Sequence, residues 1–143
     1  MKKLQIKQAG RLGLDSELTL FESEKGIKFP DSYREFLLTQ NPYTVKEDLY
    51  EKDGRNYEIH HFYPFDSEIE LSVQFSFDNL NDFFESKYLA FADDSGGWQY
   101  VISVQEVDYG KIYFCRMDEA LEDALTLLAD SFEQFVNGLE VEE

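Results

Sequence analysis

Three apolar runs separated by short turns constrain the fold of this chain most strongly. They occupy residues 88–92, 98–104 and 111–116, and each contains Tyr, Phe, Val or Ile. The segment 93–97, Asp-Asp-Ser-Gly-Gly, separates the first two runs, and Gly110 directly precedes the third. Clusters of Asp, Ser and Gly between apolar runs are typical of turns between strands. Because strands joined by short turns pair antiparallel, we expect an antiparallel sheet here.

The first forty residues predict two helices. We expect the first helix over 15–25, with Asp15 and Ser16 as its cap. Gly26 should end it, because glycine readily adopts the left-handed conformation found at helix ends. The second is expected to be capped by Asp31 or Ser32, and Asn-Pro at 41–42 ends it. Apolar residues recur at helical spacing within it, which indicates one buried face.

The remaining segments are consistent with an α+β fold. We expect a polar loop over 43–56, a strand over 55–65, a strand or an extended loop over 68–75, a short helix capped by Ser76 or Asp78, and one or two C-terminal helices over 121–139. The predicted fold is a single domain, 1–143, with a mainly antiparallel sheet and helices packed on one side. Its core is expected to include Phe36, Phe91, Ile112, Phe132 and Phe135.

Charge narrows the classes of partner that this chain can bind. The formal net charge is -17, and residues 1–34 carry +2, so residues 35–143 carry -19. Direct binding to nucleic acid is not expected, because phosphate contacts need Lys and Arg, and an anionic membrane is disfavoured for the same reason. The acidic surface serves either solubility or attraction of a basic protein partner.

The single cysteine and the N-terminal segment bear on location. Cys115 excludes an intramolecular disulfide, which favours a reducing compartment. No run approaches the roughly 18 apolar residues of a membrane span. The first residues are basic but lack the apolar stretch of a signal peptide. We therefore expect a cytoplasmic location.

Four segments in order resemble one known family. Residues 29–37, Phe-Pro-Asp-Ser-Tyr-Arg-Glu-Phe-Leu, resemble the "LP-x-x-Y-x-x-F-L" motif of the SUKH superfamily, in the branch named after a yeast regulator of cell-wall glucan synthesis. Residues 91–98 resemble its "A-x-D-x-G-G-D" turn, 110–114 its "G-x-V-Y-x" strand, and 129–135 its "A-x-S-F-x-x-F-L" helix. Together these segments span about three quarters of the chain.

The resemblance implies a binding module without catalytic activity. Many bacterial members resemble immunity proteins that neutralise polymorphic toxins, often nucleases, so a basic nuclease-type toxin is the expected partner. Nucleases carry cationic surfaces that an acidic inhibitor would complement. Two alternatives stay open: a regulatory scaffold domain with a host-protein partner, and an acidic nucleic-acid mimic. The oligomeric state stays open as well.

The acidic turn supplies the candidate contact residues for this partner. Asp93, Asp94 and Ser95 can accept hydrogen bonds from Lys or Arg, and Trp98 either packs on the sheet or anchors an interface. The turn could also hold calcium or magnesium through oxygen ligands, or present a carboxylate pair for acid-base chemistry. Turn chemistry alone accounts for these residue types, so we expect no metal, no cofactor and no catalytic residue.

The only two histidines, His60 and His61, are adjacent in sequence. In a strand their side chains would point to opposite faces, so we expect them not to share a metal. Cys115 lies far away in sequence, and no second thiolate is present for a zinc site. A structural or surface role is the expectation for both histidines.

Overall fold

The computed structural model describes residues 1–142. Its helices are α1 (Asp15–Lys25), α2 (Asp31–Thr39), α3 (Val73–Phe84), α4 (Leu121–Ala124) and α5 (Phe132–Asn137). Its strands are β1 (Ile6–Ala9), β2 (Pro42–Val45), β3 (Leu49–Lys52), β4 (Arg55–Glu58), β5 (His61–Phe62), β6 (Tyr88–Asp93), β7 (Gln99–Ser103), β8 (Ile112–Cys115), β9 (Leu125–Ala129) and β10 (Leu139–Glu140). None of the helices in this range is both long and apolar enough to cross a membrane.

The central sheet confirms the α+β class and the antiparallel pairing. It has five strands in the order β5-β6-β7-β8-β9, and every neighbouring pair is antiparallel. Two smaller antiparallel sheets, β1-β2 and β10-β3-β4, accompany it. The three strands predicted between 88 and 116 are β6, β7 and β8, at the middle of the central sheet.

The core is an aromatic cluster centred on Phe91 of β6. The Phe91 ring lies 5.3 Å from that of Phe132 and 5.5 Å from that of Phe135, both on α5, and 6.3 Å from that of Tyr33 on α2. All five residues predicted for the core are buried. Phenylalanine rings at these separations add favourable edge-to-face contacts to the area that they bury. Both α2 and α5 are therefore held against the same strand.

The two N-terminal helices match the prediction except at their caps. Helix α1 begins at Asp15 with Leu14 as the cap residue, and the Glu17 carboxylate accepts the Leu14 backbone N–H at 3.1 Å. Gly26 ends the helix with φ 68°, as expected. Helix α2 begins at Asp31 behind Pro30, so neither predicted cap residue of that helix is correct. The acidic residues Asp15 and Glu17 of α1 and Asp31 of α2 lie inside the first helical turn instead. There the positive end of the helix dipole stabilises their negative charge.

The predicted polar loop over 43–56 is wrong. This segment contains β2, β3 and the beginning of β4, and β3 and β4 form a hairpin. Asp53 and Gly54, the two residues between these strands, both have positive φ, 53° and 78°. Such a pair is typical of the tight turn that joins twisted strands. Most positions of β3 and β4 carry polar or charged residues, so the sequence shows no clear alternation of apolar and polar residues there.

Two further boundaries differ from the prediction. The single strand expected over 55–65 is interrupted, because β4 ends at Glu58 and β5 covers only His61–Phe62. Helix α3 begins earlier than expected, at Val73, with Ser72 as its cap. The Ser72 hydroxyl accepts the Phe75 backbone N–H at 3.1 Å. Of the two alternatives for 68–75, the strand is wrong: residues 68–72 form a loop that leads into the helix.

The prediction of one or two C-terminal helices over 121–139 is wrong in part, and this is the largest difference from the structure. Only α4 and α5 are helical there, and β9 lies between them and β10 after them. The residues of β9 pair with β8, with Leu125 opposite Cys115 and Leu127 opposite Tyr113. Leucine spacing of three and four residues is compatible with either structure, and pairing with an unfilled sheet edge decides in favour of the strand.

Candidate functional site

The acidic turn joins β6 to β7 and is held by Asp94. The Asp94 Oδ1 atom accepts the backbone N–H groups of Gly96 and Trp98, each at 2.9 Å. The Asp94 N–H donates to the Trp98 carbonyl at 2.9 Å, and the Gly97 N–H donates to the Asp94 carbonyl at 3.2 Å. Gly97 has φ 89°, which a residue with a side chain rarely adopts. One carboxylate oxygen thus organises the whole turn.

Asp93 lies deeper than the rest of the turn. Its side chain is only 13% exposed, and its Oδ1 atom accepts the His61 backbone N–H at 3.0 Å. The His61 Nδ1 atom lies 3.4 Å from the same oxygen but makes no well-aligned hydrogen bond with it. Burial raises the pKa of the Asp93 carboxyl, although the nearby His61 and His60 partly lower it. Asp93 is therefore a mostly buried carboxyl group beside two imidazoles.

Ser95 and Trp98 complete the turn in different ways. Ser95 is exposed, and its backbone N–H donates to Glu58 Oε1 at 3.2 Å. The Trp98 side chain is half-buried, with its ring 5.8 Å from the Phe114 ring of β8. Trp98 therefore packs on the sheet and still presents part of its surface to solvent. The turn places an exposed backbone segment and a partly exposed indole beside Asp94, with Asp93 beneath them at His61.

Sequence reasoning did not identify the residues that surround Asp93. The Tyr43 ring stacks on the His61 ring with centroids 4.6 Å apart, and the Tyr63 hydroxyl donates to Gln99 Oε1 at 2.7 Å. Burial raises the pKa of Tyr63, with a smaller contribution from the negative charge of Asp93. Tyr43 lies in the segment that was predicted to be a loop, and no local sequence pattern predicts its position close to Asp93. The pairing of β5 with β6, which places His61 opposite Asp93, creates this cluster.

The expectation that the two histidines lie apart is wrong. Their ring centroids are 4.0 Å apart in an edge-to-face arrangement. The reason is that β5 begins at His61, so His60 does not follow the alternation of a strand. Within residues 1–142, no group of three or more His, Cys, Asp or Glu side chains is placed to hold a metal ion. Cys115 is buried, and burial raises the pKa of its thiol to about 11.

Comparison with known protein families identifies the family of this chain. The α+β domain with an acidic turn between two central strands agrees with the fold class that the sequence motifs indicated. The model of the SMI1 / KNR4 family (SUKH-1) matches residues 14–138. The match covers most of the chain, so this protein belongs to the SMI1 / KNR4 family (SUKH-1). None of the curated proteins compared with the chain matches it.

Proposed function

We propose that this protein is a non-catalytic binding domain that acts in the cytoplasm and holds a basic protein partner. The partner that best fits the charge and the family resemblance is a nuclease-type polymorphic toxin, which the domain would neutralise as an immunity protein. Nucleases concentrate Lys and Arg where they bind phosphate, and an inhibitor that covers such a surface needs carboxylates.

The observation that carries the proposal is the exposed negative charge. Between residues 118 and 142 the chain has eight acidic residues and no Lys or Arg, and all eight are exposed. Of these eight, only Glu119 and Glu133 have an ion-pair partner in the described structure. Exposed carboxylates without a counter-charge add to a field of one sign, which accelerates association with a partner of the opposite sign.

The acidic turn is the proposed point of contact, through Asp93, Asp94, Ser95 and Trp98. The hydrogen bonds described for the Asp94 carboxylate use Oδ1, so Oδ2 keeps its capacity to accept from a partner's Lys or Arg. The Trp98 indole supplies a partly exposed aromatic surface beside it. Tryptophan is enriched among the residues that contribute most of the binding energy at protein interfaces.

Co-expression with the product of an adjacent toxin gene tests the function. Neutralisation of that toxin, together with a stable complex, is expected. The variant to compare with the wild type combines Asp93→Asn and Asp94→Asn, which removes both charges but keeps an oxygen acceptor at each position. The double variant should bind more weakly, and association should slow as salt screens the charges.

Three results separate the alternatives. Inhibition of several unrelated DNA-binding proteins would favour the nucleic-acid mimic. A stable complex with a host protein and no protection against the toxin would favour the regulatory scaffold. Unchanged affinity for the toxin in both the double variant and molar salt would contradict the electrostatic mechanism.

A further inference from the structure

An open groove lies between α1 and the segment that leads into α3. Its volume is about 260 Å³, and its apolar residues are Leu20, Phe21 and Phe65. Phe21 and Phe65 are buried core residues with ring centroids 5.6 Å apart. Leu20 is different, because 60% of it is exposed although it lies in a regular helix. The groove thus has an apolar lining with one leucine presented to solvent.

The core of the domain does not need Leu20 to be apolar. Helix α1 already buries Leu18 and Phe21 against the rest of the protein. A polar residue at position 20 would serve a purely structural helix equally well, since exposed helix positions are ordinarily polar. An exposed leucine in a groove with two phenylalanines is the arrangement of a surface that receives an apolar side chain from elsewhere.

The surroundings of the groove are acidic. Helix α1 and residues 65–78 together contain eight Asp and Glu and one Lys. Five of these acids have an ion-pair partner: Asp78 pairs with Lys25, Glu17 and Asp66 pair with Arg11, and Asp15 and Glu22 pair with Arg34. Glu24, at the rim of the groove, has no ion-pair partner among residues 1–142, and neither do Glu68 and Glu70. An occupant of the groove therefore meets a net negative field.

We propose that this groove docks a basic amphipathic helix of a protein partner. An apolar side chain of that helix packs on Leu20 and Phe21, and its Lys or Arg residues pair with Glu24, Glu68 and Glu70. A second copy of this chain is a poor occupant, because it carries the same net charge of -17 and would meet the groove with like charge. The proposal extends the proposed binding function to a surface separate in sequence from the turn at 93–98, and it does not depend on the partner being a toxin.

The test uses the full chain and a fluorescent synthetic helix of leucine and lysine, with a scrambled peptide of the same composition. Fluorescence anisotropy gives the affinity, and amide chemical shifts locate the peptide on the protein. Leu20→Ser should weaken binding roughly tenfold, since it removes most of one buried leucine contact. Glu24→Gln should weaken it about two- to fivefold. The matched control is Val107→Ser, at an apolar position that is 86% exposed and lies outside the groove.

The expected result is that shifts concentrate at 20–24 and 67–74, that the scrambled peptide binds more weakly, and that the control binds normally. No binding, equal affinity of the Leu20→Ser variant, or shifts centred elsewhere would overturn the proposal. Circular dichroism checks that each variant is folded, and the Glu24→Gln variant provides an independent readout. Docking of the peptide with no toxin neutralisation would leave the groove assigned and refute the immunity function, whereas neutralisation without peptide docking would do the reverse.

Discussion

Asp94 and Trp98 are joined in both directions across the turn between β6 and β7. The Asp94 Oδ1 atom accepts the Trp98 N–H at 2.9 Å, and the Asp94 N–H donates to the Trp98 carbonyl at 2.9 Å. The residue proposed to contact a partner therefore also holds the contact surface in place. Two different substitutions of Asp94 are therefore needed to separate its structural role from its proposed binding role.

Replacing Asp94 by Ala and by Asn should have different effects on stability. Alanine removes the acceptor for two backbone N–H groups and should lower the free energy of unfolding by about 1–2 kcal/mol. Asparagine keeps the Oδ1 acceptor and should cost clearly less. Urea denaturation of the two variants measures the difference, and equal losses would show that charge and not hydrogen bonding stabilises the turn.

Asp93 should give the domain a recognisable pH dependence. Because burial raises the pKa of Asp93 in the folded state, the folded protein binds this proton more tightly than the unfolded chain does. The contribution of Asp93 to stability is then favourable at low pH and is lost as pH rises from about 4, the ordinary value for Asp, through the raised pKa. Asp93→Asn should remove this dependence.

Thermal unfolding of the wild type and the Asp93→Asn variant across that pH range measures the effect as a difference. The many other carboxylates also titrate, so the matched control is Asp118→Asn, at an exposed position. The wild type should lose stability relative to the Asp93→Asn variant as pH rises. A constant difference, or one that matches the control, would contradict the assignment to Asp93.

Asn41 should be one of the most sensitive polar positions. It is fully buried with φ 45°, its Oδ1 atom accepts the Phe65 N–H at 2.7 Å, and its Nδ2 donates to the Arg11 carbonyl. Asn41→Gly keeps the backbone conformation and should cost roughly 2–4 kcal/mol for the hydrogen bonds left unmade. Asn41→Ala should cost more, because alanine disfavours positive φ. Denaturant unfolding orders the two, and a reversed order would refute the strain argument.

Phe132 should dominate the packing of α5. Its ring lies 4.9 Å from that of Phe36, 5.0 Å from that of Tyr33 and 5.3 Å from that of Phe91. Phe132→Ala should lower the free energy of unfolding by about 3–5 kcal/mol, a large part of the stability of an ordinary domain. Differential scanning calorimetry measures the loss. The matched control is Phe75→Ala, which should cost far less because Phe75 is exposed, and equal losses for the two variants would contradict the assignment.

The sequence alone predicted the candidate turn but not its surroundings. Asp94 belongs to a local pattern of Asp, Ser and Gly whose hydrogen bonds lie within five residues, and local patterns are readable from sequence. Tyr43 and His61 reach Asp93 only because β5 pairs with β6. The distance in sequence between these residues left no periodic signal to follow.

By itself the sequence determined the three central strands, the first two helices, the buried aromatic residues and the excess of negative charge. Each of these depends on short-range periodicity or on composition. Only the tertiary structure decided that Leu125–Ala129 is a strand, because the free edge of β8 supplies hydrogen-bond partners that a leucine spacing cannot reveal. The same applies to Leu20, whose exposure follows from where α1 lies against the core and not from its neighbours in sequence.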